Sequence, residues 1–162
     1  MNVTDFQQMY LAELQELYSA EDQLAKALPG MAEMAHNPQL KGAMEGHLGQ
    51  TQSHVQRLEG ILKRHNIDPR QHQDQSMKSI IGEADKWAHM IENPDLRDAG
   101  LISSAQRIGH YEIAVCGTLA SWAKRLGHAE DAETLHAILE EEKSTDEKLS
   151  ELATTSVNPQ AA

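Results

Sequence analysis

The sequence predicts an all-α protein, a four-helix bundle with one long crossover that carries a short fifth helix. Three observations predict it. Four stretches place apolar residues at alternating steps of three and four, the spacing of one helix face. Cap and turn signals divide the chain into long helix, tight turn, long helix, long connection, long helix, tight turn, long helix. No alternating run and no Asn-Gly hairpin marks a strand. Aromatic residues make up only 4% of the 162, so the core must be built from Leu, Ile, Met and Ala, which suits helices better than a sandwich.

Each element has its own signal. Thr4-x-x-Gln7 matches a capping box and starts the first long helix, which runs to about His36 with Pro29 as a kink or local break. Asn37-Pro38 reads as an N-cap followed by proline at the first helical position. The second long helix runs from there to about His65 and stops before Asn66-Ile67-Asp68-Pro69. The turn between them is short, so the two are antiparallel neighbours. Residues 66–75 are a polar, Gln-rich loop. Residues 76–92 form a shorter amphipathic helix with Met77, Ile80, Ile81, Ala84, Trp87 and Ile91 on its apolar side. Asn93-Pro94 repeats the cap signal and opens the third long helix, to about Leu126. Gly127 terminates it, and the fourth runs from about Ala129 to Ala153. TTSVNPQAA at the end reads as frayed, so the expected division is a bundle domain over 1–155 and a disordered tail over 156–162. Four long helices with one long crossover make the ferritin-like topology.

Charge and composition exclude several classes of function. A net charge of −11 argues against nucleic acid, which needs a basic surface, and against anionic membranes. No apolar run approaches a membrane span, and MNVTDFQQMY has no signal-peptide pattern. The single Cys116 rules out an internal disulfide framework and reads as a small buried hydrophobe. The expected location is the cytoplasm.

The most informative feature is where the helix faces are interrupted. The first face reads Tyr10, Leu14, Leu17, Glu21, Leu24, Leu28. The second reads Leu40, Met44, His47, Thr51, His54, Leu58, Ile61. The third reads Leu101, Ala105, Ile108, Glu112, Val115, Leu119, Trp122, Leu126. The fourth reads Leu135, Ile138, Glu142, Thr145, Leu149, Leu152. Burying a carboxylate without a partner costs several kcal/mol or forces it to take up a proton. The helices are each about 40–50 Å long at roughly 1.5 Å per residue, and the interruptions fall near their midpoints. Midpoints superimpose in a bundle whether neighbours run parallel or antiparallel, so these groups are expected in one layer. Carboxylate oxygen and imidazole nitrogen suit iron, manganese or zinc.

The expected ligands are Glu21, His47, Glu112 and Glu142. His54, Gln50 and Asp146 have supporting roles: Gln50 and His54 share the His47 face, and Asp146 lies one turn beyond Glu142. Taken singly, a core glutamate more often snorkels to solvent, and a core histidine is more often hydrogen-bonded than ligating. Only their coincidence in one layer points to metal. Glu13 and Glu16 lie nearer the edge of the first face. Glu140-Glu141-Glu142 is mostly a solvated run with only Glu142 on the inner face. His110 falls off the Glu112 face, and His36, His65, His72, His89, His128 and His136 read as exposed or terminal.

At these residues the chain resembles the YciE/YciF family of ferritin-like bacterial stress proteins. The stretches that carry the resemblance are LYSAEDQLAKALP (17–29), HLGQTQSHVQRLE (47–59), DAGLISSAQRIGHYEIA (98–114) and LGHAEDAETLHAILEEEKSTDEKLSELA (126–153). The resemblance implies a ferritin-like bundle, a homodimer, a rubrerythrin-like buried metal centre and induction under osmotic, stationary-phase or oxidative stress. The family commonly carries glutamate where Gly49 and Gly109 stand here, and many relatives have glutamate at Gln50. Glu-x-x-His, the di-iron pattern, is absent, and Glu142-x-x-Thr145 has no histidine. The count of ligands therefore favours one ion, or a depleted site, over two. The expected function is a metal-binding stress protein using iron or manganese, with oxidation of Fe²⁺ or reduction of peroxide as its chemistry if it is catalytic. The rival is a non-catalytic structural stress protein that keeps the bundle without a full metal site. A cage-forming iron store is a third reading, less favoured because nothing specifies a large assembly.

Overall fold

The computed structural model describes residues 3–162; the first two residues of the expected 1–155 domain lie outside it. Its long helices are α1 (Phe6–Met34), α2 (Pro38–Arg64), α4 (Pro94–Leu126) and α5 (Ala129–Leu152), with α3 (Gln75–Met90) in the crossover. No strand occurs among the described residues. α1 packs most extensively on α2, and α4 on α5; α1–α4 and α2–α5 contacts close the bundle, and α3 lies on α1 and α4.

The caps show why the helices begin and end where they do. Asn37 accepts from the backbone of Gln39 and Leu40, and Asn93 from Asp95 and Leu96, so both Asn-Pro signals start helices as expected. Gly127 ends α4 with φ of 81°, a conformation that favours glycine. At the N-terminus the cap is Asp5 rather than Thr4: Asp5 Oδ1 accepts from the Gln8 backbone at 2.7 Å, while Gln8 Oε1 accepts from the Thr4 backbone at 3.0 Å. The capping box is thus displaced by one residue. Pro29 does not break α1; it lies on the exposed face, where the hydrogen bond that proline cannot donate is not lost from the core. The α1–α2 turn is fixed from across the bundle. Buried Asp98 on α4 accepts from the backbone of His36 at 2.8 Å and of Asn37 at 2.7 Å.

Two expectations are corrected. Trp87 is 43% exposed, and Ala84 and Ala88 are the buried residues of that part of α3. The narrow α3 contact admits small side chains and turns the indole outward. The terminal segment, expected to be a frayed tail, is helical: Ala153–Val157 forms a wide π-helical turn and Asn158–Ala161 a last α-helical turn, α6. Val157 is buried in the core, and Asn37 Nδ2 donates to Ser156 Oγ at 3.2 Å. One apolar side chain with a place in the core outweighs the polar character of its neighbours.

The apolar interior is divided in two. One core contains Leu24, Leu28, Leu40, Met44, Leu101, Ile108 and Leu149. The other contains Tyr10, Leu14, Leu17, Leu58, Ile61, Leu119 and Ile138. On every long helix the polar interruption falls between a residue of one core and a residue of the other. Glu21 follows Leu17 and precedes Leu24; Glu112 lies between Ile108 and Cys116. A polar layer therefore spans the middle of the bundle with apolar cores above and below it, each large side chain worth about 1.5–3 kcal/mol on burial. Those cores hold the polar layer in place.

Candidate metal centre

Helix periodicity brings Glu21, His47, His54, Glu112 and Glu142 to the inner faces of four different helices, where all are at most 5% exposed. Their ligand atoms fall into two groups, Glu21–His54–Glu142 and His47–Glu112–Glu142, within each of which the atoms lie within 4.8 Å of one another. Glu142 belongs to both. His54 Nδ1 stands 3.3 Å from Glu21 Oε2 and 3.2 Å from Glu142 Oε1, and His47 Nε2 stands 3.5 Å from Glu142 Oε2.

The electrostatics follow from burial and crowding. Burial, then the charges of Glu21 and Glu142, pushes the Glu112 carboxyl well above the ordinary range. Burial raises Glu21 as well, with His54 opposing it. Burial alone would lower His54, but its contacts with Glu142 and Glu21 prevail and push it up to about 10. Burial alone would raise Glu142, but His47 and His54 prevail and bring it down to about 2. These shifts favour a cationic His54 beside an anionic Glu142, and they disfavour the charged form of Glu112.

Even so, the layer is short of partners. Glu21 Oε1, both oxygens of Glu112 and Thr51 Oγ1 are buried with no hydrogen-bond partner, and His47 Nε2 and the two oxygens of Glu142 have only the ion-pair approaches of 3.2–3.5 Å given above, without hydrogen-bond geometry. An unsatisfied buried polar atom costs about 1–3 kcal/mol, against a typical domain stability of about 5–15 kcal/mol. A hard or borderline divalent cation is the partner that this set of oxygens and imidazole nitrogens fits.

Two of the expected supporting residues lie elsewhere. Asp146 accepts from Gln106 Nε2 at 3.1 Å and pairs with His110 Nδ1 at 3.3 Å, on the α4–α5 surface. Asp146 is half-buried, and its partners there are Gln106 and His110 rather than the residues of the central layer. Gln50 accepts from Thr145 Oγ1 at 3.0 Å, bridging α2 to α5 beside the layer. The sequence reading missed Glu141. It is no member of a purely solvated run: its Oε2 lies 2.7 Å from His54 Nε2 and 2.5 Å from Arg57 Nη2.

The sequence reading also missed a cluster at one end of the bundle. His65 at the end of α2 and His128 at the start of α5 lie with ring centroids 4.8 Å apart, beside buried Asp131. Asp131 accepts from Tyr10 at 3.0 Å and from Arg64 at 2.7 Å, and meets His65 Nε2 at 2.6 Å; His128 Nε2 meets Gln7 Oε1 at 2.8 Å. Burial would raise Asp131, but the bonds from His65 and Arg64 prevail and hold it below the ordinary range. These atoms are paired with one another, and Arg64 already supplies the cation. The cluster is a latch joining three helices, in contrast to the orphaned atoms of the central layer.

Comparison with known proteins agrees with this architecture. Residues 5–162 match the family described as a domain of unknown function (DUF892). Protein YciF of Escherichia coli (strain K12) is 37% identical over 162 residues, covering 99% of this chain and 98% of YciF. The chain belongs to the YciF-like DUF892 family. The crystal structure of the E. coli stress protein YciF superimposes with a TM-score of 0.91 at 36% identity, covering 96% of this chain and 99% of that one. A second structure, described as YcfI, a putative structural protein from Rhodopseudomonas palustris, gives 0.89 at 36% identity over 92% and 95% of the two chains. A protein from Xanthomonas campestris shares the fold, with a TM-score of 0.74 at 21% identity.

Proposed function

We propose that this DUF892 member is a stress-response protein that takes up divalent iron or manganese in its central layer. The observation that carries the proposal is the set of buried, orphaned oxygens and nitrogens arranged as two groups around Glu142. Glu21, His54 and Glu142 would hold one ion, and His47, Glu112 and Glu142 a second. That arrangement supports two ions, where the count of ligands in the sequence favoured one. A bound redox-active ion would supply electron transfer to oxygen or peroxide. The chain's part is to provide the anionic Glu142, to release the protons of His54 and Glu112 on loading, and to exclude bulk water with the apolar cores on either side. The test is metal per chain after anaerobic loading with Fe²⁺ or Mn²⁺, together with the melting temperature in chelator and in metal. Uptake by the wild type that is lost in Glu142→Gln supports the proposal. A wild type that takes up no metal and melts identically in both conditions refutes it.

A second reading, a structural stress protein without catalysis, is favoured by Gly109. This residue is buried one turn before Glu112, yet a Cβ there would meet nothing within 4 Å. The space beside Glu112 is what a lost glutamate ligand would leave. Turnover of Fe²⁺ or peroxide by the loaded protein separates the two readings.

A further inference from the structure

His54 is fully buried, and its two nitrogens face different surroundings. Nδ1 faces the centre, 3.3 Å from Glu21 Oε2 and 3.2 Å from Glu142 Oε1. Nε2 faces away from it, 2.7 Å from Glu141 Oε2. The same Glu141 oxygen accepts from Arg57 Nη2 at 2.5 Å, and Arg57 lies three residues after His54 on α2. Adjacent positions on a helix point about 100° apart, so Glu142 enters the layer while Glu141 lies over the α2–α5 seam. There it lines a cleft of about 760 Å³ together with Gly46, Gly49, Gln50, Ser53 and Arg57. Glu141 therefore lies where the solvent cleft meets the buried centre.

An imidazole ligates through a nitrogen that carries no proton, and its other nitrogen keeps its proton and needs an acceptor. Glu141 is that acceptor for His54. We infer that Glu141 is a positioning residue for the metal centre: clamped by Arg57, it holds the Nε2–H of His54 and commits Nδ1 as the ligating atom. This rests on the metal reading of the central layer. The bland alternative makes Glu141 half of a surface ion pair with Arg57. Such a pair leaves the choice of ligating nitrogen untouched.

The test uses the full chain and Zn²⁺ as a diamagnetic probe. Long-range ¹H–¹⁵N spectra of the loaded protein identify which nitrogen of His54 is metal-bound and which is protonated, and competition with a chelating dye gives the affinity. The expected result for the wild type is Zn²⁺ on Nδ1 and the proton on Nε2. Glu141→Ala should weaken affinity about 10–100-fold, the usual effect of removing a hydrogen-bond partner of a metal ligand. The same variant should let Nε2-bound His54 appear. Glu141→Gln, whose amide oxygen still accepts, should recover most of the affinity, a rescue that a merely structural role does not predict. Melting of the metal-free variants checks that they fold, and the wild-type nitrogen assignment and Glu141→Gln stand even if Glu141→Ala does not. Zn²⁺ on Nε2 in the wild type, or unchanged affinity in Glu141→Ala, overturns the role of Glu141 while leaving the metal reading intact. A wild type that binds no Zn²⁺ overturns both.

Discussion

Replacing Glu112 by methionine should raise the stability of the metal-free protein and shrink the further gain that metal brings. Glu112 is fully buried, and neither of its oxygens has a hydrogen-bond partner. Burial and the neighbouring Glu21 and Glu142 push its carboxyl well above the ordinary range, so the substitution removes a polar group that the site disfavours and leaves an apolar chain of similar length. Removing such a group is worth about 1–3 kcal/mol. For a chain of this size each kcal/mol moves the melting temperature by roughly 2–4 °C. About 2 kcal/mol therefore corresponds to a rise of roughly 4–8 °C in chelator. With Mn²⁺ at about 100 times its Kd, the wild type should gain about 2.7 kcal/mol, or roughly 5–11 °C. The variant, short of a ligand, should gain less. The assay is thermal unfolding of both proteins in EDTA and in Mn²⁺, with the gain on metal addition compared directly. A variant that melts below the wild type in EDTA refutes the reasoning, because Glu112 would then be gaining more from its surroundings than its burial costs.

Three further perturbations have expected outcomes. The pH dependence without metal follows from the shifted groups. The raised carboxyls of Glu21 and Glu112 stabilise most below the ordinary carboxylate range, and that contribution is lost as pH rises toward their folded values. The contribution of His54 is full below about 6.5 and is lost as pH rises toward about 10. That of Glu142 is full above the ordinary carboxylate range and is lost as pH falls toward about 2. Metal-free stability should therefore fall from pH 5 to 8, while uptake of Mn²⁺, which displaces protons, should strengthen over the same range. Melting curves in both conditions with the same slope would contradict this. Gly109→Glu should add a carboxylate one turn before Glu112, at a position where a Cβ meets nothing within 4 Å. It should destabilise the metal-free layer and raise metal per chain after loading; unchanged occupancy and a melting temperature indifferent to metal would show that position 109 does not serve the centre. Asp98→Ala removes the acceptor of the His36 and Asn37 backbone groups and should cost about 3 kcal/mol. The melting temperature should then fall roughly 6–12 °C with metal per chain unchanged, and loss of metal uptake would show that the α1–α2 turn and the centre are coupled.

The sequence by itself determined the helices, their order and the composition of the central layer. Those properties are local: a period of three and four residues marks which side of each helix is buried, and Asn-Pro and Gly127 mark the ends. The interruption of four apolar faces at matching heights was enough to place Glu21, His47, His54, Glu112 and Glu142 together, because midpoints of packed helices coincide whatever their direction. Tertiary structure alone decided what depends on the rotation and axial offset of one helix against another. It divided the five residues into two groups around Glu142, and turned Asp146 outward to Gln106 and His110. It gave Glu141, which helix spacing leaves off the inner face beside Glu140, the outward nitrogen of His54. It also joined His65 to Asp131, 66 positions away, because the end of α2 and the start of α5 meet at one end of the bundle. Spacing along a chain records the first kind of information. The second arises only when helices distant in sequence pack.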